Sequence, residues 1–182
     1  MGRYTCQICK DGRTRESQRD EREDSEKLSY VFEMVRLSGT PRRIKMKGVE
    51  LIELPKMSDS RGNLSVVEQF RHIPFEIKRL FWIYGVPQGH GRAAHAHKEQ
   101  TQFLIPVSGS FDIELDNGKS KERVTLKDPN KGLLVFPGIW ISLENFSKDA
   151  VCLVVAPEVY EEGDYMREYD EFLDWINSGS PI

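Results

Sequence analysis

The chain of 182 residues contains only three cysteines, Cys6, Cys9 and Cys152. That is too few for the disulfide framework of a small secreted domain, and it fits a reducing compartment. No apolar run approaches the ~20 residues that a membrane-spanning helix needs. The N-terminus lacks the apolar core of a signal peptide. Positive charge is not in excess: the formal net charge is −3, so no global basic field draws nucleic acid. There is no glycine fingerprint for a dinucleotide and no phosphate-binding P-loop. No solenoid repeat is visible. A cytoplasmic protein with neither nucleic acid nor membrane as partner is the expectation, and the length suits one ordinary domain.

Two unequal parts make up the chain. From Asp11 to Lys27, 12 of 17 residues are charged, both signs are mixed, and none is large and apolar. Such a stretch buries too little surface to offset its ordering entropy, so residues 1–45 are expected to be a disordered extension. Cys6-Gln7-Ile8-Cys9 has the spacing of half a zinc knuckle. A structural zinc needs four ligands, and the nearest histidine is His72, so no zinc is expected there. Residues 46–182 are expected to form the folded domain.

From Val49 onward, short apolar runs alternate with turn signals at the spacing of an all-β sandwich or barrel. Strands are predicted near Val49–Leu54, Leu64–Glu68, Ile77–Tyr84, Gln102–Val107, Ser110–Leu115, Arg123–Leu126, Gly132–Phe136, Ile139–Leu143 and Val151–Val155. Phe111, Ile113 and Leu115 alternate with Asp112 and Glu114, which gives that strand one buried and one wet face. Asp116-Asn117-Gly118 follows at once, and Asn-Gly predicts a tight hairpin turn. At the end, Tyr165, Tyr169, Phe172 and Ile176 recur at helical spacing. Asp164 is read as the N-cap of that helix, and Gly179 and Pro181 as its stop.

Two of the four histidines form His95-Ala96-His97. On a strand, residues i and i+2 share a face, so both imidazoles would enter one cavity of a barrel. The alternative is a pair of surface histidines on a loop.

The surroundings of the pair resemble the cupin signature, a His-X-His pattern set between glycines. Gly89 precedes His95 by the expected interval, and Gly109 closes the motif. Gly132, Pro137, Gly138 and Asn145 match the second cupin motif in outline. The resemblance implies an all-β cupin, a jelly-roll β-barrel, with a C-terminal helix. Metal-binding cupins use three histidines and a glutamate. Here Gln102 stands at the glutamate position and Ile141 at the third histidine position. An amide oxygen is a poor ligand for a transition metal and isoleucine is none, so no metal and no other cofactor is expected. A histidine without a metal is available for proton transfer, with an ordinary pKa of ~6.5.

A narrower likeness rests on many short segments in order. They are Asp59-Ser60-Arg61-Gly62-Asn63-Leu64, Ile77-Lys78-Arg79, Arg92 to Lys98, Gln102-Phe103-Leu104-Ile105, Ser108-Gly109-Ser110, Pro137-Gly138-Ile139-Trp140 and Tyr160 to Tyr169. Together they are similar to the nucleotide-sugar 3,4-ketoisomerases, cupins that act on dTDP-4-keto-6-deoxyglucose. The resemblance implies a sugar isomerase of deoxysugar biosynthesis, serving a cell-surface polysaccharide, with a nucleotide-linked keto-sugar as substrate.

Under that resemblance His97 is the proton-shuttling base and His95 its partner, although spacing alone does not separate the two roles. Gln102 would hold a histidine tautomer or a sugar hydroxyl; its other role is a satisfied core amide. Arg61, Arg79 and Arg92 are candidates for the diphosphate, each with solvated surface residue as its alternative. Tyr84, with Trp82 on the same strand, would pack on sugar or base, or else in the core. The sequence departs from the family where Ala93 follows Arg92 in place of glycine, and residues 1–45 have no counterpart. The resembled isomerases are homodimers whose N-terminal strands cross to the partner, so a homodimer is expected. The rival readings are a 3,5-epimerase on the same kind of sugar, a non-catalytic nucleotide-sugar-binding cupin and a metal-dependent cupin oxygenase. Gln102 and Ile141 disfavour the last.

Overall fold

The computed structural model describes residues 44–179. The expectations for the charged extension, for Cys6 and Cys9, and for Pro181 lie outside them. No helix among the described residues is long and apolar enough to cross a membrane.

Two five-stranded antiparallel sheets face each other. The first runs β1 (Val49–Glu53), β9 (Lys131–Val135), β6 (Gln102–Ser108), β11 (Val151–Ala156), β4 (Arg79–Tyr84). The second runs β12 (Tyr165–Met166), β5 (Arg92–His97), β10 (Trp140–Glu144), β7 (Phe111–Asp116), β8 (Lys121–Leu126). This is the all-β jelly roll expected. Between the sheets lie Leu104, Leu133, Val135, Cys152 and Val154 from one side and Phe111, Ile113, Leu115, Ile141 and Leu143 from the other. The alternation predicted for Phe111–Leu115 holds. Asp112 on the outward face accepts hydrogen bonds from Thr125 and Asn145, at 2.6 and 2.8 Å.

Strand β6 reads as an unbroken apolar run because both its faces are covered. Leu104 points between the sheets. Phe103 and Ile105 point outward, under a loop carrying Ile73 and Phe75. At the end of β6, Gly109 turns the chain with φ +62°, and a Cβ there would lie 2.7 Å from the Cα of Ala150. Glycine is required at that turn.

Three expectations change. The segment around Leu64 is the second arm of an exposed hairpin, β2 (Lys56–Asp59) and β3 (Gly62–Ser65), rather than a strand reaching Glu68. The turn after Asp116 spans four residues, since Asp116 pairs with Lys121. The Asn117 side chain there accepts from the backbone N–H groups of Lys119 and Ser120, which widens the tight turn that Asn-Gly suggested. The C-terminal helix, α1, is Tyr169–Asn177 and begins after Glu168. Tyr165 and Met166 belong instead to β12, which pairs with β5. Their helical spacing relative to Tyr169 misled because Met166 and Phe172 do share one apolar cluster, with Ala96, on the outer face of the second sheet. Gly179, with φ +82°, stands where the helix ends, as expected.

Candidate functional site

Strand β5 carries the two histidines, and a bulge aims them. Opposite it, Ile141 pairs with His95 while Ser142 pairs with Ala93, so Ala94 is the extra residue. Ala93 and Ala94 take φ values of 66° and 58°, the left-handed region that non-glycine residues rarely enter. Beyond the bulge the regular alternation holds. His95 and His97 point inward and Ala96 outward, fully buried against Met166 and Phe172. The two imidazole rings meet edge to face, with centroids 4.9 Å apart. They are inward, paired and on one strand, which removes the surface-loop alternative.

His97 is held at both ring nitrogens. Its Nδ1 lies 2.6 Å from Oδ2 of Asp164, and its Nε2 lies 2.9 Å from Nε2 of Gln102. An ionised carboxylate only accepts, so Nδ1 carries the proton and Nε2 accepts from the Gln102 amide. Asp164 is itself fixed. Its Oδ1 accepts from the backbone N–H of Glu99 at 2.7 Å, and its carbonyl accepts from Lys98 N–H at 3.0 Å. Burial pushes the His97 pKa down, opposed by the hydrogen bond and charge of Asp164. Asp164 is therefore not the helix cap read from the sequence. It sits on a short turn before β12, 67 residues from His97. Only the pairing of β12 with β5 brings it there, and a lone Asp before an aromatic stripe carries no sequence signal of that pairing.

His95 differs from its neighbour. Neither of its ring nitrogens has a side-chain hydrogen-bond partner, and both are buried. Burial, with the nearby His97, pushes its pKa down to about 4, so it is neutral near pH 7. The Tyr165 ring rests against both imidazoles, with centroids 5.0 Å from His95 and 4.3 Å from His97. Arg167 lies over the Tyr165 ring at 4.5 Å and is held by Glu162 through bonds of 2.7 and 2.9 Å. Tyr165 with Arg167 and Tyr160 against it lines one side of the histidines, where local pattern alone puts Tyr165 on a helical stripe and gives Arg167 and Tyr160 no role.

Of the other predicted site residues, Gln102 and Arg79 are brought to the cluster. Arg79 faces inward on β4, donates to Gln100 at 2.9 Å, and its charge acts on His97. Arg92 is exposed at the start of β5. Arg61 is 88% exposed at the tip of the β2–β3 hairpin, paired with Asp59. Tyr84 and Trp82 point away from the barrel interior on the edge strand β4, 67% and 60% exposed. Within one chain, therefore, Tyr84 and Arg61 do not join the histidines. A cleft of about 510 Å³ lined by Asp116, Lys121, Trp140 and Tyr169 also lies outside the histidine cluster.

The donor set does not fit a cupin metal. Ile141, directly across the ladder from His95, offers no lone pair, and the Gln102 amide already engages His97 Nε2.

Two facing antiparallel sheets with an inward histidine pair define a cupin-type protein. Within that class, the chain belongs to the FdtA family, described as WxcM-like, C-terminal, which matches residues 47–177. A TDP-4-oxo-6-deoxy-alpha-D-glucose-3,4-oxoisomerase of Aneurinibacillus thermoaerophilus is 39% identical over 127 residues, 70% of this chain and 91% of that protein. The crystal structure of a 3,4-ketoisomerase from Helicobacter canadensis superimposes with a TM-score of 0.69 at 40% identity, covering 71% of this chain and 97% of that one. QdtA, a sugar 3,4-ketoisomerase from Thermoanaerobacterium thermosaccharolyticum solved with TDP, gives 0.72 at 35% identity, covering 74% and 98%. A 4-keto-6-deoxy sugar epimerase from Streptomyces spheroides, at 16% identity and a TM-score of 0.58, shares the fold alone.

Proposed function

We propose that the protein is a sugar 3,4-ketoisomerase acting on dTDP-4-keto-6-deoxyglucose or a close relative, with His97 as the base and His95 as its polarising partner. One observation carries the reading: two adjacent imidazoles on one face have opposite support. His97 is backed by the Asp164 carboxylate, and His95 is half-buried, neutral and without a side-chain hydrogen-bond partner.

The reaction moves a proton between neighbouring carbons. The C3–H proton passes to Nε2 of His97 and its electron pair forms a C3–C4 double bond. The C4 carbonyl pair moves onto oxygen, where negative charge develops. The C3 hydroxyl proton passes to that oxygen, and its bonding pair forms the new C3 carbonyl. The double-bond pair then takes the proton from His97 at C4. Nothing is gained or lost, and no redox partner enters. Asp164 stabilises the imidazolium that His97 becomes. A neutral imidazole such as His95 donates an N–H to a carbonyl oxygen without first surrendering charge, as in other enediol-forming isomerases. The Gln102 N–H now occupying His97 Nε2 would turn to a sugar hydroxyl as the substrate enters.

Family likeness and the solved neighbour with TDP support a TDP-sugar as the ligand. Arg92 is the residue we assign to the diphosphate, because it is exposed on the strand that carries the histidines. The rest of the reading is a homodimeric cytoplasmic enzyme of deoxysugar biosynthesis for a cell-surface polysaccharide. The test is incubation with dTDP-4-keto-6-deoxyglucose in deuterated water, followed by NMR of the product. A carbonyl moved to C3 with solvent deuterium at C4 supports the isomerase. An inverted ring centre with the carbonyl still at C4 marks an epimerase, and unchanged sugar with bound nucleotide marks a binding protein. His97→Asn should abolish exchange while leaving the fold intact.

A further inference from the structure

Among the described residues, the buried side-chain nitrogens without a hydrogen-bond partner belong to three residues: Nδ1 and Nε2 of His95, Nε of Arg79 and Nε2 of Gln100. Gln100 sits on the turn between β5 and β6, three residues beyond His97, and is only 4% exposed. Its Oε1 accepts from Nη2 of Arg79 at 2.9 Å. The Arg79 guanidinium packs over the rings of Phe81 and Tyr160, at 5.2 and 5.6 Å. Among the described residues its polar partner is this amide and not a carboxylate.

The choice of residue matters. A carboxylate at position 100 would accept Nε–H and Nη2–H side by side and cancel the charge. The amide accepts one N–H. It leaves Arg79 charged, Nε–H unpaired, and its own N–H hydrogens unpaired. Buried orphan donors next to an uncancelled charge are destabilising and rare in folded proteins. All of them are satisfied together by one kind of ligand, an oxygen that only accepts. Continuity with the histidines runs through two aromatic rings. Tyr160, on which Arg79 stacks, meets Tyr165 at 5.5 Å, and Tyr165 rests on both imidazoles. The Arg79 charge also opposes protonation of His97.

We infer that Arg79 and Gln100 add a donor pair, alongside His95, for the sugar oxygen on which negative charge develops, which makes Gln100 a catalytic residue. The inference rests on the ketoisomerase reading. A diphosphate is the other acceptor to consider. It is disfavoured because Nε of Arg79 and Nε2 of Gln100 are buried, whereas a diphosphate suits the exposed Arg92. Stabilisation of developing charge acts in the transition state and leaves ground-state binding nearly untouched.

The experiment compares wild type with Gln100→Glu and Gln100→Met, measuring kcat by product NMR, TDP affinity by calorimetry, and folding by circular dichroism. In Gln100→Glu the carboxylate takes both Arg79 donors, and kcat should fall roughly 10²–10³-fold, the range for loss of an oxyanion donor. In Gln100→Met, which keeps the shape and removes the amide, kcat should fall at least about tenfold, with TDP affinity within about threefold of wild type in both variants. If one variant fails to fold, the other decides. Folded variants with wild-type kcat overturn the inference. So does lost TDP affinity with kcat retained, which would mark a diphosphate subsite. Both results leave the ketoisomerase reading standing, because wild type still moves the carbonyl. A wild type that never moves it overturns both.

Discussion

Replacing Asp164 by Asn isolates the support behind His97. Both carboxylate oxygens are committed, one to His97 Nδ1 at 2.6 Å and one to the Glu99 N–H at 2.7 Å. Asparagine has a single acceptor oxygen, so one of those donors must face an amide NH2. If the NH2 turns to His97, Nδ1 must give up its proton and Nε2 must carry it. The lone pair needed for C3 is then gone, and the Gln102 N–H meets another N–H. If the NH2 turns to Glu99, a backbone donor is stranded and the imidazolium loses its counter-charge. A wrong tautomer in a carboxylate–histidine pair costs about 10⁴ in kcat where it has been isolated, or roughly 5 kcal/mol of barrier. Loss of a buried charge-assisted hydrogen bond costs about 1.5–3 kcal/mol of stability. We expect kcat to fall roughly 10³–10⁴-fold, with TDP affinity almost unchanged. Asp164 opposes the burial that lowers the His97 pKa. Without it that pKa falls further, and the acid limb of the residual pH–rate profile moves to lower pH. The assay is deuterium entry by NMR across pH, with thermal melts as the folding control. An Asn variant within about fivefold of wild-type kcat would refute the assignment of Asp164 as the group positioning His97.

Two further predictions concern stability and assembly. The pKa of His95 falls from 6.5 to about 4 on folding, so below pH 6.5 the unfolded chain takes up a proton that the folded chain refuses. Stability should fall as pH drops from 6.5 to about 4, by up to roughly 3 kcal/mol from this residue. Urea unfolding at pH 7 and pH 4.5 measures it, and a His95→Gln variant whose loss over that range is no smaller would contradict the attribution. The second concerns the edge strand β4, which exposes Leu80, Trp82 and Tyr84, while the β2–β3 hairpin exposes Met57 and Leu64 on a two-stranded ribbon. An isolated ribbon is marginal in water, and an apolar edge invites pairing. Sedimentation should give a dimer for wild type and a monomer for Trp82→Lys, and a monomeric wild type at micromolar concentration would end the dimer reading.

The sequence was informative wherever local pattern coincided with the global arrangement. Alternation at Phe111–Leu115 maps one strand correctly because that strand's outer face, with Asp112 and Glu114, is wet. His95 and His97 shared a face because a strand's side-chain period is two. Gln102 was expected beside them and bonds His97. What escaped depended on contacts between distant segments. Tyr165 and Met166 fit a helical stripe as well as a strand, and only the pairing with His97 and Ala96 decides between them. Asp164 looked like a cap because caps and carboxylate partners use the same residue type. Tyr84 is a binding candidate because its strand precedes the histidine segment, and within one chain it points outward. Its outward direction follows from which of Phe81 and Trp82 the sheet buries, and both are aromatic. Two left-handed alanines in succession are equally invisible, since nothing in Arg92-Ala93-Ala94-His95 announces a bulge.

The chemical difference between the two histidines comes from topology. They are two residues apart, on one strand, facing one interior, and burial lowers the proton affinity of both. What separates them is β12. That strand adds to the free edge of β5 and brings a carboxylate to within 2.6 Å of His97 alone. On the other side of β5, strand β10 sets Ile141 opposite His95 and gives it nothing to bond. An imidazole backed by a carboxylate can accept a proton and carry the charge, and an imidazole left apolar stays neutral and can only share one. A reaction that needs a base at one carbon and a hydrogen-bond donor at the adjoining oxygen thus finds both in a single His-Ala-His segment, because the two neighbours of one strand differ.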